Sequence, residues 1–495
     1  MDGSSLLTLA SVPLLAALHA AFARLVPEPY MDEPFHVKQT QAYCGGHFST
    51  WDEKITTFPG LYALGTGAAW LAALPSGSAE DVCTLPLLRA VNLAPALLTP
   101  PLLLKLLERL HPRTSRADLL GNAVMLSLLP THFFYHFLYY TDSAATCSAL
   151  LLLLLVLPAA DGATEEQSQE RSQRSQRSQR SQPPRASQPP PRPSLARVTG
   201  AGIAAALCLS LRQTNAVWIA FALGCDALHQ LHAAGSLPAQ LPLAAALAKL
   251  PAALLGPAPQ PGGRRGLHAL LRWPPLLALL AGFAAFVRVN GGVVLGDKSN
   301  HEPVAHLAQL LYLTAFATAP FELDALTLRL PATLRAAAAA TVSAPLSAAA
   351  AAAAALLAAW CTYSHPFLLA DNRHLTFYLW RHVLGRHWAA RYALVPAHLL
   401  LARLLYPPLW RRYGALRCVG LLGCAALVLV PSPLLELRYL TLPALVLRLH
   451  CEPLAGARRW GPPLLAFGAV NAALLYVFLA RPFAWPDGST ARFMF

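Results

Sequence analysis

The sequence predicts an all-α polytopic membrane protein, on three observations. Hydrophobic residues make up 55% of the 495 and charged residues 13%, about half the charged share of a soluble domain. The apolar residues gather in runs able to cross a bilayer, which takes about 20 residues of helix. The arginines behind the net charge of +14 sit mainly in loops between those runs, as the positive-inside rule requires. With mean hydropathy +0.44, such loops anchor a topology in membrane lipid; nucleic acid is not an expected partner.

The first run, 5 to 26, ends in Ala21-Phe22-Ala23, which mimics a signal-peptidase site, yet only Asp2 is charged ahead of it. A basic n-region is lacking, so an uncleaved first anchor is expected. A polar, aromatic-dotted loop at 27 to 57 follows, then runs at 58 to 74, 85 to 107, 119 to 140 and 142 to 158. The basic turn from Glu108 to Arg116 belongs on the cytosolic side. So does the segment 161 to 194, whose Arg-Ser-Gln triplets from Arg171 to Gln182 predict a disordered loop. The hairpin between them puts Tyr139-Tyr140-Thr141-Asp142 on the opposite face.

Strict alternation then fails: with 27 to 57 non-cytosolic, two crossings by 58 to 74 and 85 to 107 would contradict the basic turn. One of those runs, or part of the loop, must be re-entrant or interfacial. Further runs at 195 to 211, 214 to 232, 274 to 289, 304 to 321, 343 to 361, 389 to 405, 415 to 430, 434 to 449 and 462 to 480 give on the order of 11 to 14 spans in total. The chain divides into an N-terminal module at 1–160, the basic loop at 161–194 and a C-terminal module at 195–495. Nine cysteines are scattered singly from Cys44 to Cys451, so neither a disulfide framework nor a zinc site is expected, and most read as small core residues.

Chemistry is concentrated at one membrane face. Asp32 and Glu33 are adjacent carboxylates at a membrane boundary, where ionisable groups cost free energy unless solvated, paired or working. Alternation puts Arg212-Gln213-Thr214-Asn215, Gly296 to Glu302, His365 to His374 and Glu436-Leu437-Arg438-Tyr439 on the same face, with Arg264-Arg265, Arg411-Arg412 and Arg458-Arg459 opposite as ordinary anchors. This predicts a one-sided active site. A transporter or flippase for a lipid-linked sugar would instead want ionisable groups near mid-membrane in two similar halves. A membrane partner modulating an ion channel is a third reading.

Longer motifs make the reading specific. Tyr30 to His36, Tyr43 to Phe48, Trp51-Asp52, Ile55 to Tyr62, Phe137 to Asp142, Arg212 to Asn215, Gly296 to Ser299, His365 to Tyr378 and the final Arg492-Phe493-Met494-Phe495 together resemble the endoplasmic-reticulum dolichyl-phosphate-glucose-dependent α-1,2-glucosyltransferases. The chain departs from that pattern in the Arg-Ser-Gln loop, the alanine tract from Ala348 to Ala355 and the stretch near 256 to 263. The resemblance implies a GT-C glycosyltransferase fold with its active site at the luminal surface of the endoplasmic-reticulum membrane. It implies dolichyl phosphate glucose as donor and the diglucosylated dolichyl-diphosphate oligosaccharide as acceptor, with inversion at the anomeric carbon.

Such a displacement needs one base. Asp32 is the expected one, because related enzymes place an aspartate at the start of this loop; Glu33 is the second candidate, or a ligand for acceptor hydroxyls. The competing reading is that Asp32 caps the helix beginning at Pro34. Arg212, Arg373 and Arg438 are candidates for the donor phosphate, since arginine's planar fork suits bidentate phosphate binding; the alternative is pairing of Arg373 with Asp371 and of Arg438 with Glu436. His365 and His374 are secondary phosphate candidates, and Asp52, Trp51, His36, Tyr140 and Asp142 are sugar candidates. For Trp51, Tyr139 and Tyr140 taken singly the interfacial aromatic belt is the favoured reading over sugar stacking, and Asp297-Lys298 reads as a self-satisfied pair. No DxD motif is present, and neither a metal nor a cofactor is expected.

Overall fold

The computed structural model describes residues 3–75, 77–159, 192–256 and 270–495. The Arg-Ser-Gln triplets, expected to be disordered, lie outside the described residues, as does the Arg264-Arg265 turn. The described chain is helical throughout, apart from one two-stranded antiparallel ribbon that pairs Phe483–Ala484 with Thr490–Ala491. The helices that position the site are α1 (Gly3–Leu25), α2 (Glu33–Cys44), α3 (Gly60–Ala73), α4 (Leu85–Ala90), α5 (Leu93–Leu110), α6 (Arg116–Ser127), α7 (Thr141–Val156), α8 (Leu195–Leu211), α9 (Ala216–Ala233), α10 (Pro274–Asn290), α11 (Val395–Leu429), α12 (Leu437–His450) and α13 (Ala457–Ala480).

The protein is a multi-pass membrane protein. Among the described residues four helical stretches, Leu7–Leu25, Leu85–Leu110, Ala390–Leu429 and Ala457–Ala480, are long and apolar enough to cross, and two bent pairs raise the number to six. Other apolar runs form shorter helices of 10–17 residues, including α8 and α10, so among the described residues not every apolar run is one long helix. Proline is one cause. Pro130 and Pro345 each open a helix, because proline lacks an N–H and disfavours helical geometry in the residue before it. At Pro345 the helix Leu330–Ser343 meets Pro345–Trp360 at 111°, while the Pro130–Phe137 segment meets α7 at 120° across residues 138–140.

Cys44 and Cys83 form a disulfide with Cα atoms 6.5 Å apart. The scattered cysteines predicted no disulfide framework, and this one bond goes unannounced because single cysteines 39 residues apart carry no spacing signal. The bond also resolves the alternation conflict. It fixes the end of α2 and the start of α4 on one side of the membrane, so the 58 to 74 run ends on the side where it began. Its helix α3 has only 14 residues, about 21 Å of rise against a hydrocarbon core of about 30 Å. The crossing belongs to 85–110 alone, and the basic turn at 108 to 116 falls opposite the disulfide.

Two apolar clusters hold the helices. Around α7 and α8, the small buried residues Ala201, Ala204, Ala205 and Cys208 pack near Leu150 and Leu153; small residues let helices approach closely where lipid supplies no hydrophobic drive. A second cluster joins α1, the 130–137 hairpin and α13 through Phe22, whose ring stacks on Phe137 at 5.2 Å and on Phe478 at 5.4 Å.

Candidate functional site

Asp32 and Glu33 are neighbours with opposite surroundings. The Glu33 side chain is fully buried and ion-paired with Arg89, which donates to it from Nε at 2.8 Å and from Nη2 at 2.6 Å. The backbone N–H groups of Tyr30 and Tyr139 donate to the same carboxylate at 2.9 and 2.7 Å. Its lone pairs are committed. Asp32 occupies the N-cap position of α2 but makes no side-chain capping hydrogen bond. Its side chain is 44% exposed, with one Arg438 Nη2 at 3.3 Å. The capping alternative is thus not what its carboxylate does. Met31, just before it, is the one described non-glycine residue with positive φ, 60°, a left-handed geometry that costs free energy and clusters at functional positions. The Asp32 N–H donates to the Tyr140 hydroxyl at 2.9 Å.

A charged chain runs inward from Asp32. Arg438 pairs with Glu436, with Asp32 and, at 3.7 Å, with Asp142; Asp142 also meets Arg212 Nη1 at 3.2 Å. The Arg438 guanidinium lies over the rings of Tyr140 and Tyr439, 5.3 and 5.4 Å from their centroids, and Arg212 lies 5.0 Å over Tyr439. Three carboxylates meet two arginines, and of these five groups only Asp32 is more than one-quarter exposed. Beneath them is a cavity of about 30 Å³ touching His132, Asp142, Arg212, Asn215 and Arg438, room for about one ordered water.

The hairpin tip that carries Tyr140 and Asp142 is locked from several sides. Asn92 donates to the carbonyls of Leu138 and Tyr140 at 2.7 and 2.9 Å, while the Tyr139 hydroxyl donates to the Leu61 carbonyl at 2.8 Å. Gly65 is required at that contact, since a Cβ there would lie 2.2 Å from the Tyr139 hydroxyl. Tyr139 and Tyr140 are buried inside protein, which corrects their assignment to an interfacial belt: α2 and α3 cover them.

Along α2, the His36 ring shares a 2.9 Å hydrogen bond with Tyr62 and sits edge-on to Tyr140. Burial pushes its imidazole below the ordinary histidine range, outweighing the opposing pull of the Asp32 carboxylate. Trp51 meets Tyr62 edge-on at 5.8 Å. The Asp52 N–H is held by Gln39 at 2.9 Å, and the Asp52 carboxylate accepts the Lys54 N–H at 2.9 Å. The Arg212 cluster is tied to this loop by Gln213, which donates to the Thr56 carbonyl at 2.7 Å, and the Leu295 N–H reaches the same carbonyl at 3.2 Å. Gly296, with φ 58°, passes so near that a Cβ would lie 2.3 Å from the Glu53 carbonyl oxygen. Lys298 turns to Asn290 at 2.6 Å and Asp297 accepts from Ser299 at 2.7 Å, so the expected mutual pair is replaced by separate partners.

The remaining candidates lie to the side. Arg373 pairs with Asp371 at 2.7 Å and stacks 4.1 Å over Trp485, reaching the Asp32 region only through the Tyr30 ring at 6.0 Å. Burial disfavours the Asp371 charge, but the Arg373 hydrogen bonds outweigh it and hold the carboxyl below its usual range. His374 Nδ1 bonds the Phe495 carbonyl at 2.6 Å, and the Met494 N–H donates to the Arg373 carbonyl at 2.8 Å. His365 accepts the Phe367 N–H at 3.1 Å as a local cap. Sequence reasoning missed Arg89, whose signal was an arginine inside an apolar run, and Tyr135, whose ring lies 5.8 Å from the Arg438 guanidinium and which carried none. Among the described residues no three His, Cys, Asp or Glu side chains gather as a metal would require.

Comparison with known proteins matches residues 26–449 to the DIE2/ALG10 family. Curated proteins named Dol-P-Glc:Glc(2)Man(9)GlcNAc(2)-PP-Dol alpha-1,2-glucosyltransferase are similar along nearly the whole chain. The Mus musculus protein is 31% identical over 96% of this chain and 95% of its own length. The Arabidopsis thaliana protein is 28% identical over 93% of each, and the Drosophila melanogaster protein 30% over 93% and 92%. No solved structure matches.

Proposed function

We propose, given that this chain belongs to the DIE2/ALG10 family, that it is an α-1,2-glucosyltransferase moving glucose from dolichyl phosphate glucose to the terminal glucose of the diglucosylated dolichyl-diphosphate oligosaccharide. The reading includes a GT-C architecture in the endoplasmic-reticulum membrane with the Asp32 face luminal. The Cys44–Cys83 disulfide supports that side, since disulfides persist in oxidising compartments.

Asp32 is the base. What carries this is the contrast with its neighbour: the Asp32 carboxylate is exposed and spared from capping, whereas every lone-pair direction of Glu33 is engaged in a buried network. The acceptor hydroxyl oxygen bonds to the anomeric carbon from the face opposite the phosphate. As the bond from that carbon to the phosphate oxygen breaks, the hydroxyl proton passes to Asp32 and dolichyl phosphate leaves as an anion, inverting the centre. A phosphate leaving group needs little protonation, so a second carboxyl is not required. Arg438, which pairs with Asp32 directly, and Arg212, linked to Arg438 through Asp142, receive the departing charge by donors already fixed in place. His36, Trp51 and Asp52 form the side of the loop that meets acceptor hydroxyls. Asp52, Trp51 and His36 thereby belong to the sugar end, and Arg212 and Arg438 to the phosphate end.

The test is Asp32→Asn in purified full-length protein given dolichyl phosphate glucose and the diglucosylated acceptor. Transfer of a single glucose should fall by about 10²- to 10⁴-fold with the protein still folded and membrane-inserted. Unchanged transfer by the variant removes Asp32 as the base. Absence of transfer by the folded wild-type chain removes the assignment as a whole.

A further inference from the structure

On the outer surface of the helices, starting within a turn of Arg212, lies an apolar groove of about 580 Å³ between α8 and α10, within the volume range of small-molecule sites. Every residue lining it is apolar, and Phe58 stands at one end. The groove exists because facing positions are small: Gly202 and Ala206 on α8, spaced one turn apart, and Ala278 and Gly282 on α10. At its far end the two helices touch, since a Cβ on Gly202 would lie 2.9 Å from Pro275. At its near end, Leu209 precedes Arg212 by less than one turn of α8. Phe58 follows Thr56, whose carbonyl holds Gln213, and its ring packs 4.9 Å from Phe286.

We infer that this groove holds the first isoprene units of the donor's polyprenyl chain, which places the phosphate at Arg212; the inference rests on the donor proposed above. The chain of such a donor is bonded directly to its phosphate, so an apolar channel for it must begin beside the phosphate-binding cations. This groove does, and it runs from them for about 10 Å of helix between Leu209 and Gly202. An unbranched bilayer acyl chain is the competing occupant, and it has no reason to make turnover depend on the donor's chain.

Gly282 offers the cleanest probe, because outside its own helix backbone no atom lies within 4 Å of where its Cβ would be, so a side chain there starts out into the open groove. Full-length Gly282→Trp and Ala206→Phe, filling the groove from opposite walls, are compared with wild type using glucosyl phosphates that carry a dolichyl or a short citronellyl chain. Gly423→Trp, which adds the same bulk to an exposed position of α11 with equally open space, is the control. The expected result is a KM for the dolichyl donor raised about tenfold or more in the groove variants, as loss of a few buried methylenes implies, with turnover of the citronellyl donor and the behaviour of Gly423→Trp unchanged. A dolichyl preference that survives in both groove variants, or a loss shared equally by the two donors in both, overturns the groove assignment while leaving the transferase assignment standing. Wild-type protein that transfers glucose from neither donor overturns both.

Discussion

Residues 32 and 33 are chemically almost the same and are used in opposite ways. Glu33 closes a network with Arg89 in which both side chains are essentially without solvent. Removing one partner of such a pair strands a charge and costs about 3–5 kcal/mol. Glu33→Ala should therefore lower the thermal unfolding temperature in detergent markedly, where Asp32→Asn leaves it nearly unchanged and lowers turnover instead. His36 supplies the pH dependence. Its folded-state pKa lies below that of the unfolded chain, so the unfolded state takes up the proton more readily as pH falls. Stability from this group is complete above the ordinary value of about 6.5 and declines below it; melting curves between pH 8 and 5 should show a steeper acid decline for wild type than for His36→Gln. The sequence exposed Asp32 and Arg438 as polar groups at run ends, which is where their importance lies. It did not reveal the role of Glu33, because its partner sits 56 positions away inside an apolar run where only folding brings the two together.

At the level of elements, the sequence placed the apolar runs but not their breaks. The run 58 to 74 has the composition of a span, yet the disulfide after it and the shortness of α3 make it a cap lying on α2. Periodicity reports which residues are apolar and is silent on whether the chain turns back. The hairpin tip at 138–140 shows the same limit: tyrosines at a run end suit a lipid interface, and here α2 and α3 cover them. Cys44→Ser should cost about 2–4 kcal/mol and loosen the cap, read as increased protease cleavage between residues 45 and 57 and as a mobility shift lost on non-reducing gels. Turnover falls with it, because the Tyr139 hydroxyl that α3 holds sits next to the Tyr140 backbone carrying the site.

Across the whole molecule, segments far apart in the chain meet around Tyr30. Its hydroxyl donates to the Arg492 carbonyl at 2.5 Å, and Arg492 in turn donates to the carbonyls of Leu25 and Phe478, each at 2.7 Å. One arginine thus ties α1, α13 and the 490s to the residue two before Asp32. Arg492→Ala should raise KM for the oligosaccharide acceptor and lower the unfolding temperature, measurable by steady-state transfer and thermal melts of the same preparation. The sequence contained this tie only as a terminal motif with no stated purpose, since nothing local marks residue 492 as a neighbour of residue 30. The Cys44–Cys83 bond has a consequence in time as well as in space. Both cysteines precede the helix at 85–110, so with the Asp32 face luminal, as proposed, the cap is able to oxidise while most of the polypeptide has yet to leave the ribosome. The hairpin and α12 are then delivered to a lid already shut on one side, and maturation of the site follows the order of synthesis.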